Sequence, residues 1–112
     1  METPQIGLLR RAMQTYNWRM QAHASNIANL DTPGYQRMTV SFEEQLQNAL
    51  DNVPGVKDPA EVKPRVITED RPALLEDELM ELADTQMRTQ LATRALREHF
   101  DLLRTGITGR SL

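Results

Sequence analysis

Cysteine is absent from all 112 residues. Its absence excludes disulfide frameworks, thiolate metal sites and cysteine nucleophiles. Aromatic residues reach only 4%, so any core must be built from aliphatic side chains and methionine. The five glycines, at 7, 34, 55, 106 and 109, never cluster, which removes the Gly-rich phosphate loop. No unbroken apolar run approaches the ~20 residues that a transmembrane helix needs. Net charge is −3, so no long-range field draws nucleic acid. The two histidines, His23 and His99, lack metal-ligand spacing. Residues 1–6 carry neither the basic region nor the apolar stretch of a cleavable secretory signal. If the protein leaves the cytoplasm, another route is expected to carry it.

What the chain has instead is heptad periodicity at both ends. Ile6, Leu9, Met13, Tyr16, Met20, His23, Ile27 and Leu30 recur at alternating steps of three and four. This stripe predicts one helix over 5–30, with Thr3 as N-cap and Pro4 in its first turn. Fewer than four heptads do not separate a coiled coil from a bundle helix. His23 lies on the stripe and reads as a packed or interfacial imidazole. Trp18 lies opposite it, a position suited to a contact with another subunit. Asp31-Thr32-Pro33-Gly34 breaks the helix, and Pro33 followed by Gly34 predicts a type II turn. Residues 35–42 then alternate, with Met38, Val40 and Phe42 on one side, as in a short extended segment. A short helix to Leu50 follows, Ser41 serving as N-cap and Glu44 completing a capping box.

Prolines 54, 59, 64 and 72 keep helix out of residues 51–72. The segment reads as a linker or exposed loop, with room for one short edge strand near 62–68. A long helix is expected over 73–108, capped by Asp70 and with Pro72 in its first turn. Its early acids, Glu76, Asp77, Glu78, Glu81 and Asp84, read as a solvated N-terminus that complements the helix dipole. No cation is placed in sequence to suggest acid–base chemistry there.

This helix carries two apolar stripes. Leu79, Leu82, Leu96 and Leu103 belong to the one expected to pair with Ile6, Leu9, Met13, Tyr16 and Met20. Met80, Met87, Leu91 and Leu102 belong to the other. A small monomer needs only one apolar face per helix, so the second is assigned to contacts between chains. The expected architecture is all-α: two long terminal helices in an antiparallel, coiled-coil-like pair, with a short irregular or extended middle. Its segments are 1–50, 51–72 and 73–112. No catalytic constellation, cofactor or metal is expected.

One run is more specific than periodicity. Ser25-Asn26-Ile27-Ala28-Asn29-Leu30-Asp31-Thr32-Pro33-Gly34-Tyr35 closely resembles the signature of bacterial flagellar rod, hook and hook-associated axial proteins. Leu30 replaces the small residue usual there. Leu75 to Arg88, with Phe100 and Leu103-Arg104-Thr105-Gly106-Ile107, is similar to the C-terminal segment of proximal rod subunits. Thr85 and Thr89 depart from that pattern, so contacts of those two family positions are not carried over.

The resemblance implies a structural subunit of the flagellar basal-body rod in the periplasm. It implies export through the flagellar type III apparatus and helical polymerisation into the drive shaft. Implied partners are other rod subunits, copies of itself and the MS-ring adaptor region, with no nucleic acid and no membrane span. It also implies that Asn26, Ile27, Asn29, Asp31, Thr32, Pro33, Gly34 and Tyr35 close the first helix and touch a neighbouring subunit. Two rivals stand beside this reading: another rod or hook axial subunit, and a soluble helical-bundle adaptor.

Overall fold

The computed structural model describes residues 3–55 and 58–108. Helix α1 spans Pro4–Ala28, strand β1 Arg37–Ser41, helix α2 Glu43–Leu50, strand β2 Arg65–Glu69 and helix α3 Leu75–Thr108; a single 3₁₀ turn, Pro59–Glu61, precedes β2. The shape is elongated, 60 × 35 × 18 Å. Thr3 caps α1, its hydroxyl accepting from the Ile6 N–H at 3.2 Å. After the helix ends at Asn29, the Tyr35 N–H reaches the Thr32 carbonyl at 3.2 Å and Gly34 has φ +76°. That is the type II turn expected from Pro33 and Gly34.

The long helices pack side by side in opposite directions. His23 near the end of α1 meets Glu78 near the start of α3, while Arg19, one turn earlier, borders a groove with Thr85 and Arg88 further along. The covered positions of α3 include Glu78, Leu82, Thr85, Thr89, Ala92, Leu96 and His99. They recur at alternating steps of four and three, as a heptad seam does, but their chemistry is small and polar. Burial of threonine is possible because Thr85, Thr89 and Thr93 each donate to the carbonyl four residues back at 2.8 Å, so no hydroxyl is stranded. Facing them, α1 buries Ile6, Thr15, Ala22, His23 and Asn26.

Three expectations need correcting. The fold is not strictly all-α, because β1 and β2 form an antiparallel two-stranded sheet with Thr39 opposite Ile67. Residues 51–72 do hold the short edge strand expected near 62–68, as β2, but the segment is more than an exposed loop. Val62 is buried with Phe42 and Ala49 against Ala12 and Leu46, and the Arg11 Nη1 donates to the Val62 carbonyl at 3.2 Å. The prolines stop helix without stopping the chain from folding back. Finally, Leu79 and Leu103, expected on the helix seam, lie on open surface, since the seam follows the threonines rather than the leucines. Ile6 is buried, and Leu9, Met13, Tyr16, Met20, Leu82 and Leu96 are half-buried.

Two local boundaries also move. Helix α2 begins at Glu43 behind Phe42, with no side-chain cap bond; burying the Phe42 ring sets the entry angle and leaves Ser41 in β1. Helix α3 starts at Leu75, so Asp70 and Pro72 belong to the connection before it.

With 34 residues against 25 in α1, α3 outruns its partner by about two and a half turns. Phe100, Leu102, Leu103 and Ile107 are exposed on that end, Ile107 at 85%. The seam geometry makes neighbouring residues behave oppositely: Ala92 is 8% exposed and Leu91 58%. Ala92→Leu should overpack the helix contact and cost about 1–3 kcal/mol. Leu91→Ala should change stability by less than about 0.5 kcal/mol. Urea unfolding of both variants measures the contrast, and equal losses would contradict the seam.

Candidate functional site: a buried polar junction beneath the turn

Within residues 25–35, Asn26 reaches a side chain whose sequence position suggests solvent. Glu78 is fully buried. Its Oε2 accepts from His23 Nδ1 at 2.7 Å and from Asn26 Nδ2 at 3.1 Å. Its Oε1 accepts from Arg37 Nε at 2.5 Å. A carboxylate can be buried only when paired and hydrogen-bonded, and here one carboxylate is held by α1, β1 and its own helix together.

Asn26 is the second hub. Its Oδ1 accepts from the Met38 N–H at 2.8 Å and from the Tyr35 hydroxyl at 2.9 Å. Its Nδ2 donates to the Met38 carbonyl at 2.8 Å as well as to Glu78. Both donors and both acceptor positions of the amide are used. Because the Tyr35 proton goes to Asn26, the Ser25 hydroxyl, 2.9 Å away, donates to Tyr35. Asn26 thereby takes the place of a neighbouring strand along the outer edge of β1. Arg19 extends this role, donating from Nε and Nη2 to the Val40 carbonyl at 3.3 and 3.0 Å while its guanidinium pairs with Glu43.

Asn29 does a more local job. Its Nδ2 donates to the Ser25 carbonyl at 2.8 Å and its Oδ1 accepts from the Thr32 hydroxyl at 3.1 Å, closing the last turn of α1 onto the loop. Asp31, Thr32, Pro33 and Gly34 form the exposed tip, while Ile27 and Tyr35 are half-buried. Trp18 is half-buried and borders a groove with Gln21, Ala22, Ser25, Met38 and Val66. Met80, Met87, Leu91 and Leu102 are all exposed, Met80 at 72%.

His23, Glu78 and Glu81 place ligand atoms within 4.8 Å of one another, an arrangement that can hold a cation. The cation is Arg37, whose Nη2 also donates to Glu81 at 2.5 Å and whose Nη1 reaches Glu69 at 3.3 Å. Burial opposes its charge, but these three acids more than offset that and hold Arg37 protonated. Sequence reasoning missed Arg37 and misjudged Glu78. The available signal was Glu78 itself, which opens the 78–82–85–89 heptad once small and polar positions are allowed on the seam.

Residues 8–36 match the family model described as flagella basal body rod protein. That span contains most of α1 and the whole turn, including Asn26, Asn29 and Tyr35. The chain resembles flagellar rod proteins of the FlgB kind. The flagellar basal body rod protein FlgB of Borrelia hermsii is 38% identical over 47 residues, which is 42% of this chain and 35% of that protein. The chain thus aligns with about a third of this FlgB's length. Among the described residues, no helix is long and apolar enough to cross a membrane.

The junction makes stability depend on pH in one direction. Burial is the largest single influence on Glu78 and raises its pKa, yet hydrogen bonds from Asn26, His23 and Arg37 together hold it below the ordinary 4.5. A carboxyl with a lowered folded-state pKa stabilises fully above its unfolded value, and loses that contribution as pH falls through the folded one. Glu78→Gln should cost about 3 kcal/mol near neutrality by leaving Arg37 short of a buried partner. The gap to wild type should narrow as pH drops below 4.5. Urea titrations at several pH values measure that difference; a gap independent of pH would contradict an ionised Glu78.

Proposed function

We propose that this chain is a structural subunit of the bacterial flagellar basal-body rod, built into its proximal part and polymerised helically as a segment of the drive shaft. The observation that carries the reading is the match of residues 8–36, whose Asn26, Asn29 and Tyr35 form the scaffold of the turn. A turn cap alone needs Pro33 and Gly34. The saturated amide of Asn26 does more, fixing the direction in which the chain leaves α1.

The outer surface of α3 supports the same reading. Met80, Met87, Leu91 and Leu102 lie exposed along its length and overhanging end. Leaving such side chains in water forgoes roughly 1.5–3 kcal/mol apiece, a loss recovered when neighbouring subunits cover them. Methionine suits this role because its flexible thioether adapts to unlike partners. In the rod, the paired terminal helices act as the coiled-coil-like wall element and the hairpin with α2 lies beside them. Its partners are other rod subunits, further copies of itself and the adaptor region at the rod base. Delivery is through the flagellar type III apparatus.

Met87→Asp should leave the isolated chain's circular dichroism near wild type and abolish incorporation into basal bodies. Normal incorporation would remove the assembly role of this face. Pro33→Ala with Gly34→Ala should separate the same two readouts, since alanine at the φ +76° position of Gly34 costs about 1 kcal/mol of backbone strain and redirects the turn. Purified basal bodies and swimming assays would show a loss larger than the change in helix content. Unaltered motility in that double variant would contradict an assembly role for the turn.

A further inference from the structure

The hydrogen-bond pattern of β1 decides which edge of the hairpin is open. Asn26 takes both main-chain groups of Met38, and Arg19 takes the Val40 carbonyl, so those groups point away from β2. In an antiparallel ladder, hydrogen-bonded and non-hydrogen-bonded pairs alternate. The bonded pairs are therefore Arg37 with Glu69, Thr39 with Ile67, and Ser41 with Arg65. It follows that the N–H and C=O groups of Val66 and Thr68 point outward from β2. On that strand Val66 and Ile67 are 51% and 42% exposed.

We propose that this edge pairs with the same edge of a second copy of the chain, antiparallel about a two-fold axis centred on Ile67. The strand Arg65-Val66-Ile67-Thr68-Glu69 is complementary to its own reverse. In the register that aligns the outward groups, Val66 and Thr68 exchange main-chain bonds with Thr68 and Val66 of the second copy. Ile67 then lies opposite its own counterpart in the close, non-hydrogen-bonded position. Arg65, which has no acidic partner among the described residues, falls opposite Glu69 of the other copy at each end, on the same face as Ile67. It adds a third cation to a carboxylate that already pairs with Arg37 and Arg71 of its own chain. Apolar, β-branched and opposite-charge pairs are all favourable across strands. The two-stranded hairpins, marginal as sheets on their own, become one four-stranded sheet.

Such a contact closes at two copies. It describes the subunit in solution and is no part of a polar tube, so it stands or falls separately from the rod reading.

The chain's lack of cysteine makes the test clean. Single-cysteine variants Ile67→Cys and Leu102→Cys are oxidised mildly and resolved without reductant, and sedimentation equilibrium is run on wild type and Val66→Pro. Proline at 66 removes an outward N–H and no bond to β1, and circular dichroism checks that it folds. The pairing predicts a monomer–dimer equilibrium for wild type, rapid cross-linking through position 67, and dissociation at least about tenfold greater for Val66→Pro. Arg65→Glu should weaken the dimer similarly by facing Glu69. A wild-type chain that stays monomeric, or dimers that survive Val66→Pro and cross-link through position 102, would overturn the proposal.

Discussion

Everything in this structure hangs on the burial of one ionised carboxylate. Glu78 sits without solvent contact, and such a group is tolerated only if its oxygens are fully engaged by donors. The donors are three residues on two elements: His23 and Asn26 on α1, and Arg37 on β1. Meeting that demand fixes the register of α3 against α1. It also pins the first residue of β1 to α3. Asn26 then passes the constraint on, because its remaining bonds orient Met38 and Tyr35. The turn, the strand and the helix pair form one mechanical unit for this reason.

The helix pair shows a consequence of the same arrangement. Apolar side chains ordinarily face the seam and polar ones face water. In α3, threonine, alanine and glutamate occupy much of the seam, while Met80, Met87, Leu91 and Leu102 face outward. The threonines on this seam satisfy their own hydroxyls through their own backbone. The chain's own contacts are thus largely polar along this seam, and the outer apolar face is the one that the proposed rod reading assigns to neighbouring subunits.

Much of this was legible from residues alone, and the failures share a cause. Both long helices, the Thr3 cap, the Pro33–Gly34 turn and the extended character of 35–42 follow from local rules that a sequence states directly. The hairpin was not legible, because pairing Arg37–Ser41 with Arg65–Glu69 depends on a fold-back across some two dozen residues that carries no local signature. Leucine spacing points to the wrong seam on α3, because a threonine's willingness to be buried is visible only once its i−4 hydrogen bond is. Glu78 was assigned to solvent for a related reason: its partners lie 41 to 55 residues away. The turn signature pointed to Asn26, Asn29 and Tyr35 as a group. The network explains that grouping, with Asn26 and Tyr35 bonded to each other and Asn29 locking the turn to α1.

The most direct test of the account is a density map of the assembled basal body with this chain traced in it. The account predicts that Asn26, Arg37 and Glu78 remain in contact within each subunit, and that the Met80–Met87–Leu91–Leu102 face of α3 is covered by neighbouring chains. A traced subunit whose α1 and α3 have separated, or whose outer α3 face stands open to solvent, would contradict it.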